Sequence, residues 1–156
     1  MRKVFEALYA LFAADTNFKA AVGGQFYPGI VDQDRATFPY AAYYLINDDS
    51  DWTFSEDIEY ILIQISVYDN SNSQGNILDA YEYLKVLFDD AELSVDGYNF
   101  VLMHRQQTTL VRDGIMETWH LTVDYEIEIQ RNRLLRTGVM AASESADAAA
   151  IAGTVT

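Results

Sequence analysis

The most constraining feature of the sequence is METWHLTVDYEIEIQ, residues 116–130, in which apolar and polar residues alternate. Successive side chains of a strand point to opposite faces, so the alternation predicts an antiparallel strand with one face in the core. The inward-facing set is Trp119, Leu121, Val123, Tyr125, Ile127 and Ile129. The outward-facing set is Thr118, His120, Thr122, Asp124, Glu126 and Glu128. A chain with such a strand needs an antiparallel sheet and a second layer that covers its apolar face.

Helical and strand spacing predict the other elements. Apolar residues recur every three or four positions in residues 2–14 and 77–89, which predicts two amphipathic helices. Strand-forming residues fill 39–46, and residues 60–68 alternate between an all-apolar face and a half-apolar one. The predicted order is helix, short strand, strand, strand, helix and three strands joined by tight turns, one of them at Asp96–Gly97.

These elements predict an α+β fold of two layers, a mostly antiparallel sheet with the two main helices packed on one face. The chain has 156 residues, which is enough for one domain with its own core. We place that single domain at residues 1–130. The alanine-rich segment 131–156 has little to bury, so we expect an extended C-terminal tail that is ordered only by neighbouring subunits.

Composition narrows the function classes. The sequence has no cysteine, which excludes disulfides, a thiol nucleophile and cysteine-bound metals. With 24 acidic and 10 basic residues the net charge is −14, which disfavours gripping of nucleic-acid phosphates. Two interpretations of this charge stay open. It maintains solubility and nothing more, or it forms a surface that repels the phosphates of DNA. No segment predicts a membrane span, and Glu6 interrupts the apolar N-terminus, so we expect synthesis in the cytoplasm.

The search for reaction chemistry leaves only weak candidates. His104 and His120 lack the spacing of metal ligands, which favours structural or surface roles. The acidic segment 47–57 is predicted to be a loop or hairpin connection; calcium binding is the alternative, but EF-hand spacing is missing. Asp124, Glu126 and Glu128 lie about 7 Å apart along one strand, which makes a poor acid/base pair but an effective negative surface. We therefore predict no catalytic residue, no cofactor and no metal, and we expect a protein that is not an enzyme.

The segment LYALFAADTNFKAAVGGQFYPGIVDQDRATFPYAAYYLI, residues 8–46, resembles the start of the tail-completion, or tail-terminator, proteins of long-tailed bacteriophages. In that family a short N-terminal helix precedes a G-x-x-Y-P turn, and a P-Y dipeptide then opens a strand with a tyrosine soon after. The matching positions are Gly24, Tyr27, Pro28, Pro39, Tyr40 and Tyr43. The later order of strand, helix and closing hairpin matches to about residue 130.

The resemblance implies a structural protein of the virion. Such proteins look like subunits of a ring, commonly six-fold, that caps the head-proximal end of the tail tube and ends its polymerisation. The implied partners are further copies of the chain, which would form a hexamer, together with the tail tube protein and a neck or connector stopper protein. DNA is implied only as passing cargo, and no membrane is involved. The implied location is the tail or neck of the virion, after synthesis in the cytoplasm of a bacterial host.

Ring closure by head-to-tail association needs two different contact patches on each subunit. Tyrosine combines contact area with a hydrogen bond, which suits such patches. The interface candidates are Tyr40, Tyr43, Tyr44, Tyr60, Leu62 and Tyr68. The acidic row of Asp124, Glu126 and Glu128 is expected to face the lumen, where it would repel DNA. Alternative functions are another neck or tail component, such as a connector stopper or tube-type protein, and a small ligand-binding domain or enzyme.

Overall fold

The computed structural model describes residues 1–32 and 34–132. Of the expected C-terminal tail, residues 133–156 lie outside the described residues, so the division of the chain at residue 130 stays a prediction. The elements in chain order are α1 (Arg2–Ala14), α2 (Asn17–Ala21), β1 (Phe26–Pro28), β2 (Tyr40–Trp52), β3 (Asp57–Asp69), α3 (Gly75–Phe88), β4 (Tyr98–Asp113) and β5 (Thr118–Arg131).

Five strands form one sheet in the order β1-β2-β3-β5-β4. Strand β1 runs parallel to β2, and all other neighbours are antiparallel. The register brings apolar side chains of the two central strands together, with Ile61 opposite Ile127 and Ile65 opposite Val123. The three helices cover this face and share one core with it. The prediction of a two-layer α+β fold is confirmed.

Local sequence accounts for the way the chain enters this core. Helix α1 ends at Asp15, which has an extended backbone. The Asp15 carboxylate accepts hydrogen bonds from the backbone N–H groups of Phe18 (2.7 Å) and Lys19 (3.2 Å), so it caps the first turn of α2. Gly23 and Gly24 follow with φ of 62° and 73°, angles that favour glycine and turn the chain into β1.

An aromatic cluster joins the helices to the sheet edge. The Phe26 ring on β1 stacks on Tyr43 at a centroid distance of 4.3 Å and lies 4.7 Å from Phe12 of α1. Phe18 of α2 and Phe88 of α3 complete the cluster, with their centroids 6.2 and 6.0 Å from that of Phe26. The three-residue strand β1 is therefore held by the core beneath it rather than by its few ladder hydrogen bonds.

A polar contact fastens the end of α3 to the sheet. The Asp89 carboxylate accepts a 2.7 Å hydrogen bond from the buried Tyr125 hydroxyl and bonds of 3.2 and 3.1 Å from the Arg105 guanidinium. Burial raises the pKa of the Tyr125 phenol well above its usual range, and the hydrogen bond to Asp89 adds to that rise. The phenol therefore stays neutral and acts as a donor inside the core.

We expect Asp89→Ala to lower the free energy of unfolding by about 2–3 kcal/mol, since two buried or half-buried donors lose their acceptor. Tyr125→Phe removes only the hydroxyl, and we expect a loss of about 1 kcal/mol. Denaturant unfolding of both single variants and of the double variant measures these values. Because both substitutions break the same contact, the losses should fall short of additivity; fully additive losses would contradict the assigned contact.

Two sequence-based predictions about elements are wrong. The segment 47–57 is not mainly a loop, because residues up to Trp52 continue β2 and pair with β3; the connection is only residues 53–56. Long-range pairing here overrides weak local strand preference. The third strand expected before Asp96–Gly97 is also absent from the described chain: Gly97 turns with φ 83°, but the preceding residues bury Leu93 and Val95 without pairing as a strand.

Candidate assembly surfaces

The sheet face turned away from the helices carries most of the residues that the sequence nominated. We call it the open face and define it by the alternate side chains that the strand register places together. On β2 and β3 it consists of Tyr40, Ala42, Tyr44, Asn47, Asp49, Asp51, Ile58, Tyr60, Leu62, Gln64, Ser66 and Tyr68. On β4 and β5 it consists of Asn99, Leu102, His104, Gln107, Thr109, Val111, His120, Thr122, Asp124, Glu126, Glu128 and Gln130.

One end of the open face is aromatic. The rings of Tyr40 and Tyr68 stack at 4.8 Å, and those of Tyr68 and His120 stack at 4.4 Å, so three adjacent strands contribute one ring each. The His120 Nε2 atom lies 3.2 Å from the Ser66 hydroxyl. Burial lowers the pKa of His120, which favours the neutral imidazole. This stack gives His120 a structural role.

The other end of the open face is acidic. The register aligns Asp49 with Tyr60 and Tyr60 with Glu128, and it places Glu126 beside Leu62. The pKa of the Tyr60 phenol is raised by burial first and then by the carboxylates around it, Glu128 foremost. The open face as defined contains no lysine or arginine. It therefore presents uncompensated negative charge over half its length.

Glutamine and histidine side chains border this acidic end. The Gln64 amide donates to Asp124 over 2.7 Å and its oxygen accepts from the Tyr44 hydroxyl. The His104 Nε2 atom lies 3.9 Å from a Glu126 oxygen. Across the described residues, no cluster of three or more histidine and carboxylate groups is placed to hold a metal ion. The arrangement is an electrostatic surface.

The sheet has two unlike edges on opposite sides. Strand β1 pairs with β2 only at Ala41–Tyr43, and β4 is the outermost strand on the other side. Along the described chain, the outer edges of residues 44–52 and of β4 therefore have no strand partner. Strand β2 carries Asp48, Asp49 and Asp51 and no basic residue, whereas β4 carries Arg105, Arg112 and Asp113, and Arg105 is paired with Asp89 of its own subunit. The β2 edge is thus strongly acidic and the β4 edge is not, and both have unpaired backbone hydrogen-bonding groups.

Comparison with known families decides what kind of protein carries these surfaces. The family described as tail completion protein gp17 matches residues 6–130. The chain belongs to the tail completion protein gp17 family. The matched segment contains the complete sheet except for the last residue of β5. The resemblance seen in the N-terminal motifs is confirmed, and membership of this family gives the chain a structural role in a phage tail.

A solved structure shares the fold of this tail completion protein. A chain in the structure titled "Virion of native gene transfer agent (GTA) particle" superposes with a TM-score of 0.68 and 16% sequence identity. The likeness covers 80% of this chain and 92% of that chain. A search of curated proteins found no match. No helix among the described residues of the tail completion protein is long and apolar enough to span a membrane.

The structure distributes the interface candidates of the tail completion protein unevenly. Tyr44, Tyr60, Leu62 and Tyr68 are half-buried on the open face, and Tyr40 is buried beneath Tyr68 at 3% exposure. Tyr43 points to the opposite face and is 2% exposed between Phe26 and Phe5, because α1 packs over this part of β2. Side chains as enclosed as those of Tyr40 and Tyr43 offer little surface to another subunit, which leaves Tyr44, Tyr60, Leu62 and Tyr68 as the interface candidates with accessible side chains.

The acidic row lies on the same face as the remaining tyrosines, between them and β4. Asp124, Glu126 and Glu128 are partly exposed there, as the alternation of β5 predicts. The sequence suggested two separate surfaces, but the register places Tyr60 beside Glu128 and Leu62 beside Glu126. The sequence did not predict which strands form the edges of the sheet. That property depends on the strand order, and no local pattern specifies it.

Proposed function

We propose that this tail completion protein forms a closed ring at the head-proximal end of the tail tube, ends tube polymerisation and joins the tail to the neck. The observation that carries the proposal is the pair of unlike edges on opposite sides of one sheet. Association of one patch with a different patch is head-to-tail, and it closes into a ring when the rotation between subunits allows it. The number of copies that the family resemblance implies is six.

The charges on the two edges favour this direction of assembly. In subunits of equal orientation, Asp48, Asp49 and Asp51 on the β2 edge would meet the first half of the β4 edge of the next copy, which carries no carboxylate. Contact of two β2 edges would instead place aspartates against aspartates. The charge pattern therefore favours a head-to-tail ring over a two-fold dimer.

In such a ring the open face and the helical layer form the two walls. We assign the open face to the lumen, because its carboxylates repel DNA phosphates over about 8 Å at physiological salt. Asp124, Glu126 and Glu128 occupy the middle of this wall, and Asp49 and Asp51 of β2 extend it. DNA would then pass without being held. Tyr44, nearest the β2 edge, lies at the subunit boundary, while Tyr60, Leu62 and Tyr68 belong to the wall.

The two rims of the ring provide the surfaces for other virion proteins. The β2–β3 connection lies at one end of the strands and the β4–β5 turn at the other. The tail tube protein would contact one rim and the neck or connector stopper protein the other. Rings that bound further rings at both rims would stack into a tube, so a terminator must have one rim that does not accept another tube ring.

Oligomeric mass together with negative-stain microscopy tests the proposal. We expect the purified chain to form closed single rings of uniform subunit number that do not stack. Stacked rings or filaments of the purified chain would instead identify a tube-type protein. Monomers or open rings that bind only on the capsid side of the neck would identify a connector stopper. A chain that stays monomeric at every concentration, and also on isolated tail tubes, would overturn the proposal.

A further inference from the structure

An apolar groove lies on the open face, on the β1 side of the sheet, where the segment after β1 passes the first residues of β2. Its volume is about 500 Å³, and its walls are the segment Gly29–Val31 together with Tyr40, Tyr44 and Tyr68. Ile30 on the rim is 99% exposed. Three tyrosine rings and two aliphatic side chains around one hollow describe a site for an apolar side chain.

An apolar projection lies at the end of the outermost strand, β4. The turn between β4 and β5 carries Ile115, which is 95% exposed. Its neighbour Met116 is less exposed, at 46%, and lines a small cavity of about 110 Å³ together with the chain's own Tyr68 and His120. Ile115 is therefore the apolar side chain of this turn that is most available to another molecule.

The turn is fixed before any partner arrives. The Asp113 carboxylate accepts hydrogen bonds from the backbone N–H groups of Ile115 (2.9 Å) and Met116 (3.1 Å). The Thr118 hydroxyl donates to the Met116 carbonyl over 3.0 Å. A projection held in this way loses little conformational entropy on binding.

The strand register places the groove and the projection at the same end of the sheet. Tyr40 pairs with Tyr68, Tyr68 with His120, and His120 with Val111, two residues before the end of β4. When subunits of equal orientation meet with the β4 edge of one beside the β2 edge of the next, the two features face each other. The acidic charge of the β2 edge disfavours the alternative, in which two β2 edges meet.

We propose that Ile115 of one copy inserts into the groove lined by Tyr40, Tyr44 and Tyr68 of the next copy. This rests on the proposed ring, and it names the contact that fixes the relative height of neighbouring subunits. The occupant is a second copy because groove and projection lie on the two edges that a head-to-tail ring brings together. A separate virion protein in the groove is the competing outcome.

Cysteine cross-linking tests the contact, and the natural chain has no cysteine to interfere. We expect a chain with both Ile115→Cys and Ile30→Cys to form disulfide-linked multimers, up to the closed ring, under mild oxidation. Within one subunit Ile30 follows β1 and Ile115 precedes β5, and these strands are three strand spacings or about 14 Å apart, which is too far for a disulfide. Each single variant should form none. As control, Ile115→Cys with Trp52→Cys, at the other end of the sheet, should not cross-link.

The outcomes separate this inference from the ring itself. Rings that assemble without the Ile115→Cys to Ile30→Cys link overturn the contact and leave the ring. A disulfide between two chains with Ile115→Cys alone would indicate two-fold association and overturn both proposals. A chain that never self-associates also overturns both. Cross-linking of the groove only to another virion protein would assign it to that partner and overturn the inference.

A charge substitution provides a second test. We expect Ile115→Asp to weaken association by on the order of 10- to 100-fold, because the aspartate would be buried against tyrosine rings instead of isoleucine. The matched control is Val86→Asp on α3, where the side chain is 83% exposed and faces away from the sheet edges. Both positions are exposed in the single subunit, so thermal unfolding should change little. Wild-type association of Ile115→Asp would contradict the proposed contact.

Discussion

Replacing Phe26 with alanine is expected to lower the free energy of unfolding by about 3–5 kcal/mol. Phe26 is 3% exposed, and its ring lies between Tyr43 at 4.3 Å and Phe12 at 4.7 Å. Its removal leaves a cavity where three helices and the first two strands meet, and β1 is too short to hold its place by ladder hydrogen bonds. Equilibrium unfolding in urea, at one fixed protein concentration, measures the loss.

The control for Phe26→Ala is Val86→Ala, on the exposed side of α3. With its side chain 83% exposed, this substitution should change stability by less than about 0.5 kcal/mol. The fixed concentration matters because any ring that forms also stabilises the folded chain. If Phe26→Ala costs less than about 1 kcal/mol, the aromatic cluster does not hold the β1 segment and the loop after it in place.

That loop links core stability to assembly. Gly29 donates its backbone N–H to the Tyr43 carbonyl over 2.8 Å, directly after β1, and the next two residues form one wall of the groove. Loss of Phe26 should therefore disturb the groove as well as the core. Tyr43 was expected at an interface, but its ring packs against Phe26 of β1 inside the subunit. It therefore supports the position of the groove wall that another subunit would contact.

The spacing of apolar residues predicted the strands, which have a two-residue period, and the helices, which have a 3.6-residue period. The alternation of β5 correctly placed Leu121, Val123 and Tyr125 in the core and Asp124 on the other face. The same reasoning could not orient Tyr43 and Tyr44, because both faces of that segment are apolar and nothing local says which one α1 covers. The acidic half of β2 resembled a loop, since its strand character comes from pairing with β3.

The assembly surfaces depend still more on long-range structure. No local signal shows that β2 and β4 become opposite edges, because β5 inserts between β3 and β4 although it follows both in sequence. This insertion places the acidic row next to Tyr60 and Leu62. The composition gives the net negative charge of the chain. Only the alignment of β2, β3, β5 and β4 shows that several of the carboxylates share one sheet face.

Reversing the acidic row is expected to convert a channel wall that repels DNA into one that holds it. In the variant Asp124→Lys, Glu126→Lys and Glu128→Lys the net charge of −14 changes by six units for each subunit. If the open face lines the lumen of a ring, the lysines from all copies converge on the duplex. We expect rings of the variant to bind linear duplex DNA, with an affinity that falls by on the order of 10³-fold or more between 50 and 200 mM salt. Filter binding or fluorescence anisotropy across that salt range measures it.

The control for this reversal carries the same charge change on the helical side of the sheet. Asp79→Lys, Glu82→Lys and Glu92→Lys lie on α3 and just after it, and all three side chains are exposed. If the acidic row faces the lumen, this control should bind DNA much more weakly than the variant with the reversed row. Particles built with the control should still deliver their DNA, whereas particles built with the reversed row should retain it. Equal DNA binding by the two variants would mean that net charge alone acts and that the acidic row does not face the channel. Lysines on the outer wall of a ring cannot surround a duplex that passes through the lumen. Only an acidic row that faces the lumen therefore predicts a large difference in DNA affinity between the two triple variants.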